Sequence, residues 1–346
     1  MKILITGICG FVGCTLAREL RKYRESVSIV GIDNLSRAGS ETNVEPLQRE
    51  GIDVRVGDIR VSADLTQFGK VDWVIDAAAN PSVLAGVDGK TSASELLDQN
   101  LFGTVPILEY CREHQAAFTL LSTSRVYSIN ALKNIPLCVE NKSYRFTGEV
   151  ASPNVSVNGI SEHFSTTPPL SLYGVSKLCA EQIAIEYGNV FQFPVWINRC
   201  GVMAGAGQFG NAEQGIFSYW IRSWKDRRPL KYLGFGGMGH QVRDCLNPRD
   251  LCSVLFSQFD CTSVETRPQT INLSGGVESA MSLAQLSEFC CGHIHYYNPI
   301  GDGAERAFDI PWIVLDNSLA GNVWKWSPKI SIQETLLEIR DACQNP

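Results

Sequence analysis

From residue 1 to about 200, short apolar runs alternate with longer segments whose apolar residues recur every three to four positions. The runs KILITG, SVSIVGID, DVRVGDI, WVIDAAA, FTLLSTS and VWINRCG are rich in Val and Ile and too short for helices, so they read as strands covered on both faces. Residues 11–23, 95–115 and 174–189 carry the helical period between them. Such alternation predicts an α/β fold, a Rossmann-type doubly wound parallel sheet with helices on both faces. After residue 200 the glycine clusters GVMAGAGQFG and GFGGMGH and several aromatic runs break the pattern, which predicts a smaller, loop-rich C-terminal α+β lobe. The expected division is a first domain over 1–199, to which the chain returns near 241–258, and a second lobe over 200–240 and 259–346. Residues 128–169, with PNVSVNG and TTPP, read as a long loop with little regular structure.

Charge and cysteine content narrow the partners. A formal charge of -6 offers no basic face for nucleic acid or an anionic membrane, so small molecules or like subunits are expected. The twelve cysteines follow an opening, MKILITG, that has no secretory pattern, so reduced thiols and a cytoplasmic location are expected. No run nears the roughly 18 apolar residues that a membrane span requires.

The first strand runs into Gly7, Gly10 and Gly13 of "GICGFVG" and then into a helical pattern. A glycine triplet between strand and helix lets the backbone turn tightly and brings unpaired N–H groups against a diphosphate. Asp33 stands twenty residues past Gly13, at the end of the second strand. A carboxylate there accepts both ribose hydroxyls of an adenosine and repels a 2′-phosphate, which favours NAD over NADP, although Arg37 could soften that preference. Asp58 and Ile59, ending the third strand, are placed to flank the adenine. Phe11, Val12, Asn34 and the run Ala77, Ala78 and Ala79 complete the cofactor-lining candidates on the first domain.

Tyr173 and Lys177 are the only tyrosine and lysine spaced by four in this order, and both fall in a helical segment. That spacing puts phenol and ammonium on one helix face. Free tyrosine, with a pKa near 10, is a poor base at neutral pH. Lowering it by about 3 units takes about 4 kcal/mol, which one positive charge ~4 Å away supplies at an effective dielectric near 20. A positively charged nicotinamide would add to the effect, so the pair suits removal of an alcohol proton while hydride leaves the same carbon. Thr123, at the end of the fifth strand, can hold that hydroxyl in line, and Lys177 also counts among the cofactor contacts.

At this point the chain resembles the extended short-chain dehydrogenases that modify nucleotide-diphosphate sugars. GxxGxxG at 7–13, STSRVY at 122–127, YGVSK at 173–177, QVRD at 241–244 and WSP at 326–328 match that family's motifs in order. The resemblance implies NAD as cofactor, a nucleotide-diphosphate sugar as substrate, Thr123, Tyr173 and Lys177 as catalytic residues, and homodimers formed through the helices of 95–115 and 174–189. It also implies that Asn100 supports the geometry behind the site and that Arg243 and Arg306 hold the substrate diphosphate. A planar guanidinium suits phosphate on its own chemistry. Within the family, "RCGVMAGAGQFGNAEQG" at 199–215 and "GHQVRDCLNPRDL" at 239–251 look most like the CDP-tyvelose (CDP-paratose) 2-epimerases, which implies oxidation and re-reduction at C2 and makes Gln208, Phe209 and Gln214 candidate substrate contacts.

The chain departs from its relatives at three places: Val202 replaces an asparagine, Asp76 a histidine and Ser128 a glycine. Dehydratases of this family place Asp and Glu directly after the threonine, whereas here those positions are Ser124 and Arg125, which cannot act as an acid and base pair at neutral pH and are counted as substrate contacts. Two readings stay open beside a 2-epimerase: a 4-epimerase or other sugar-nucleotide oxidoreductase, and a catalytically silent NAD sensor. Adjacent Cys290 and Cys291 do not fit the spacing of a zinc site, and no metal is expected. Residues 218–229, aromatic and basic at helical spacing, read as a core-facing helix with a solvated side.

Overall fold

A computed structural model describes residues 1–23, 26–149, 154–210, 214–261 and 267–343. The strands β1 (Lys2–Thr6), β2 (Ser28–Asp33), β3 (Asp53–Val56), β4 (Trp73–Asp76) and β5 (Ala117–Thr123) join Val195–Cys200 and Thr270–Leu273 in one parallel sheet. Its order is Thr270–Leu273, Val195–Cys200, β5, β4, β1, β2, β3. β1 has no polar face because both sides are covered: Ile3, Leu4 and Ile5 are all fully buried. Leu4, Val30, Ile32, Val74, Phe118 and Ile197 from the strands share one core with Ala180 and Ala184 of the helix Leu172–Phe191.

Register brings the carboxyl ends of these strands level. Thr6 pairs with Ile32 on one side and Asp76 on the other, Asp33 with Val56, and Asp76 with Leu120. The chain order reverses between β1 and β4, and the residues just past these ends therefore meet at one edge, where open α/β sheets hold their ligands.

By internal contacts the chain divides into Met1–Thr123, Leu172–Arg199 and Pro248–Ile271 as one unit, and Ser124–Ser171, Cys200–Asn247 and Asn272–Pro346 as another. Residues 124–171 thus group with the second unit, and the return to the first runs over 248–271 in place of 241–258. The second unit has its own core, in which Phe217, Trp220, Ile221 and Trp224 of the helix Ile216–Lys225 pack on Leu286, Phe289, Leu336 and Ile339. Its sheet joins Val202–Met203, Val242–Leu246, Ala280–Ser282 and Trp312–Ile313.

Two expectations need correction. Residues 128–169 are not structureless: they hold a helical turn at Ile129–Lys133, an antiparallel hairpin of Leu137–Glu140 with Ser143–Phe146, and a smaller pair of Val155–Ser156 with Gly159–Ile160. The hairpin escapes the sequence because its two-residue turn is Asn141-Lys142, both at positive φ (48° and 60°), where a primed turn usually carries a glycine. The segment 95–115 is also not one helix. It runs as Ala93–Leu97, a wider π-type turn at Asp98–Phe102, and Thr104–His114. π turns mark places where a helix departs from regularity to aim a side chain.

Candidate active site

The glycine turn is shaped by contact with the start of the β4 loop. Gly7 has φ +63°, and a Cβ there would lie 2.9 Å from the Cα of Ala78. A Cβ on Gly13 would lie 2.3 Å from the Gly7 carbonyl oxygen. Neither position tolerates a side chain. Phe11 and Val12 open the first helix, Phe11–Tyr23, and the Gly10 N–H closes the turn on the Gly7 carbonyl at 3.0 Å.

Asp33 lies directly beside this turn. Its Oδ2 accepts the Cys9 N–H at 2.9 Å and its Oδ1 accepts the Leu35 N–H at 2.8 Å. Burial raises its pKa, and those backbone donors oppose the rise. An ionised carboxylate has lone pairs beyond these two bonds, so capacity for ribose hydroxyls remains. Asn34 follows with its Oδ1 accepting the Ser36 N–H at 3.1 Å, and Arg37 lies half-buried in the same turn. Asp58 is committed to its neighbour: Arg60 Nη2 lies 2.6 Å from its Oδ2, and this bond holds its carboxyl below the usual range. Ile59 packs against the main core.

The β4 end continues the edge. The Thr6 hydroxyl donates to Asp76 Oδ1 at 2.6 Å and accepts the Ala78 N–H at 3.2 Å, which fixes the run Ala77, Ala78 and Ala79 beside the glycine turn. Asp76 is fully buried, and burial pushes its pKa up while the Lys177 ammonium pulls it down. Asp76 is therefore an acid in the field of Lys177.

Tyr173 and Lys177 occupy the first two turns of Leu172–Phe191, with 8% and 2% of their surfaces exposed. Tyr173 packs on Ala85 and Leu96. Asn100, in the π-type turn, accepts the Asn80 N–H at 2.7 Å, donates to the Asn80 carbonyl at 3.0 Å and reaches Ser176 Oγ at 3.3 Å. The Ser176 hydroxyl donates in turn to the Tyr173 carbonyl at 2.8 Å. The irregular turn thus presents one amide to both the β4 loop and the Tyr173 helix. Thr123 is the last residue of β5. In this unit the structure gathers on one edge the glycine turn, Asp33, the alanine run and the elements bearing Thr123, Tyr173 and Lys177.

In the second unit two arginines converge on residues 306–310, a stretch that opens with a third, Arg306. Arg125 donates to the Phe308 carbonyl at 3.2 Å, and Arg243 donates to the Ile310 carbonyl at 3.0 Å and pairs with Asp309 at 2.9 Å. Burial holds the Arg243 guanidinium below the usual arginine range against the pull of Asp309, and the positive charge of Arg306 adds to the effect of burial. Ser124 is buried just before Arg125. Gln208 spends its amide internally, donating to the Met203 carbonyl at 2.8 Å and accepting the Ser218 hydroxyl at 2.7 Å. Phe209 and Gln214 are half-buried in the same connection. Cys290 sits in the core of this unit, and Cys291 Sγ lies 3.4 Å from the Tyr297 carbonyl; among the described residues no three His, Cys, Asp or Glu side chains cluster as metal ligands. Also among the described residues, no helix is long and apolar enough to cross a membrane.

Asp309, as the partner of Arg243, was not legible in the sequence beyond its place three residues after Arg306. Asp244, next to Arg243, is fully buried and accepts the Leu315 N–H at 2.8 Å. Burial raises its pKa from 3.8 to about 6. The fold therefore binds this proton more tightly than the unfolded chain does. The stabilisation is complete below about pH 4 and is lost as pH rises through 6, an effect of about 3 kcal/mol. Urea unfolding of the wild type and Asp244→Asn should show the difference between their stabilities shifting by about that amount in favour of the variant from pH 4 to 7. A constant difference would refute the assignment.

The fold and the glycine edge agree with comparisons to known proteins. The model of the NAD dependent epimerase/dehydratase family matches residues 3–273, and the chain belongs to that family. It is an NAD-dependent enzyme of nucleotide-sugar chemistry. It is similar to the CDP-paratose 2-epimerase of Salmonella typhi, 28% identical over 99% of this chain and 98% of that one. It is also similar to a putative UDP-glucose 4-epimerase of Methanocaldococcus jannaschii, 22% identical over 99% and 98%. The UDP-glucuronic acid 4-epimerase of Bacillus cereus, solved with UDP-glucuronic acid and NAD, shares the fold at a TM-score of 0.75, 24% identity and 99% coverage of both chains. The residues present fit NAD: Gly7 and Gly13 let the backbone turn tightly at the start of the first helix, where a Cβ would strike Ala78 or the Gly7 carbonyl, and the buried Asp33 carboxylate beside that turn is oriented by backbone donors.

Proposed function

We propose that the protein is a CDP-sugar 2-epimerase. The observation that carries this reading is the similarity to CDP-paratose 2-epimerase along essentially the whole of both chains. The chemistry of the site supports an epimerase over a dehydratase, because Ser124 and Arg125 stand where an eliminating acid and base would be needed.

Bound NAD supplies the acceptor and donor of hydride. Tyr173 takes the proton of the sugar C2 hydroxyl, with the Lys177 ammonium stabilising the phenolate, and returns it once the keto sugar has turned its other face. Thr123 holds the reacting oxygen by a hydrogen bond. Asp76 lies in the field of Lys177, whose ammonium pulls the Asp76 pKa down against burial. Arg243 and Arg306 grip the diphosphate, and Asn100 keeps the Tyr173 helix in place. Exposed Phe102, Val190 and Phe191, on or beside the helices expected to pair, support a homodimer.

The test is to give the purified protein a panel of CDP-, UDP-, GDP- and dTDP-sugars without added cofactor. A C2 epimer of a CDP-sugar is the expected product. Epimers only of UDP-sugars inverted at C4 would replace this reading with the 4-epimerase one, which the similarity to 4-epimerases keeps in view.

A further inference from the structure

The geometry points to Glu181 as a positioning residue that clamps the reactive face of the Tyr173 helix to the end of β5, through Ser122, with Arg199 as its counter-ion. The inference rests on the reading of Thr123, Tyr173 and Lys177 as the reacting set. Glu181 follows Lys177 by four residues and Tyr173 by eight, so all three share one helix face. Its carboxylate has no exposed surface. The hydroxyl of Ser122, the residue before Thr123, donates to Oε1. Arg199, on the neighbouring strand, donates Nε to both carboxylate oxygens at 3.1 Å and Nη2 to Oε2 at 2.7 Å. One carboxylate therefore joins β5, the helix and the strand Val195–Cys200.

An ion pair this deeply buried is weak evidence of stability, because two desolvated charges could be replaced by apolar side chains at little cost. What such a network supplies is direction. The guanidinium fork fixes the plane of the carboxylate, and the carboxylate in turn fixes the Ser122 hydroxyl. The peptide leading into Thr123 is thereby registered against the turn of helix that carries Lys177. Registration matters here because proton removal and hydride departure occur together at one carbon. A misplacement of about 1 Å can cost up to a hundredfold in rate.

The experiment compares Ser122→Ala, the double variant Glu181→Gln/Arg199→Met and Tyr173→Phe on the full-length protein. Ser122→Ala deletes only the bond from β5 and leaves the ion pair in place, and the double variant removes both charges without stranding either. Each is expected to lower kcat about tenfold at saturating nucleotide sugar, with KM and NAD affinity within twofold of wild type. The acid limb of the kcat profile should move to higher pH, since a loosened pair leaves the phenol less acidic. A purely structural role would lower apparent kcat and the number of NAD sites per protein together, in proportion to the folded fraction, and would leave the acid limb where it is in the wild type. That pattern, or kcat within twofold of wild type in either of these two variants, overturns the inference. Loss of turnover in Tyr173→Phe alongside unaffected Ser122→Ala would sink the clamp alone, whereas an active Tyr173→Phe would remove the catalytic reading and the clamp with it.

Discussion

Tyr173→Phe is expected to lower kcat by about a thousandfold while leaving the affinity for NAD within twofold and the unfolding temperature almost unchanged. The substitution removes one oxygen from a side chain that packs on Ala85 and Leu96 through its ring, so the packing survives. The glycine turn and Asp33, which meet the cofactor end of the sheet, do not depend on the phenol. On the proposed reading, what is lost is the group that takes the proton from the sugar hydroxyl and gives it back. Turnover by product analysis and NAD titration by fluorescence report the two quantities separately. A variant that still turns over within tenfold of wild type would mean that another group carries the proton.

The second large effect lies in the other unit. On the proposed reading, Arg243→Met should reduce kcat/KM for the nucleotide sugar by about a hundredfold, because a charge-assisted contact to the substrate diphosphate would disappear. The same change strands the Asp309 carboxylate, only 14% exposed, and should destabilise the fold by about 3 kcal/mol. Adding Asp309→Asn separates the two consequences. The double variant is expected to regain most of the stability measured in urea and none of the substrate affinity. Recovery of both together would show that Arg243 serves the fold and not the substrate. NAD affinity should stay unchanged throughout.

The parts of the site that were legible in the sequence are those written in local spacing. Gly7, Gly10 and Gly13 lie within a single turn, and Tyr173 and Lys177 are one helical turn apart, so a short window contains the whole signal. The strands were legible for the same reason, since burial on both faces leaves unbroken apolar runs. The unread parts join distant positions. Ser122 and Glu181 are 59 residues apart, Arg243 and Asp309 are 66 apart, and nothing local marks either partner. Asp76 was visible as a departure from a histidine, yet its relation to Lys177 required the register of β4. The hairpin within 137–146 was hidden by a turn of Asn141 and Lys142 that adopts positive φ without glycine. The helix over 95–115 was drawn too long because the π-type turn at Asp98–Phe102 keeps an apolar spacing close to that of the helices it joins.

The central claim is that hydrogen leaves and returns to the same sugar carbon while Tyr173 handles only the proton on oxygen. The direct test supplies a CDP-sugar carrying deuterium on C2 to the wild-type protein in ordinary water, with no added cofactor, and locates the label in the epimeric product. Retention of nearly all the deuterium on C2 is the expected result. Replacement of the label by solvent hydrogen would contradict the account, because it would show that the carbon is inverted by removing and restoring a proton.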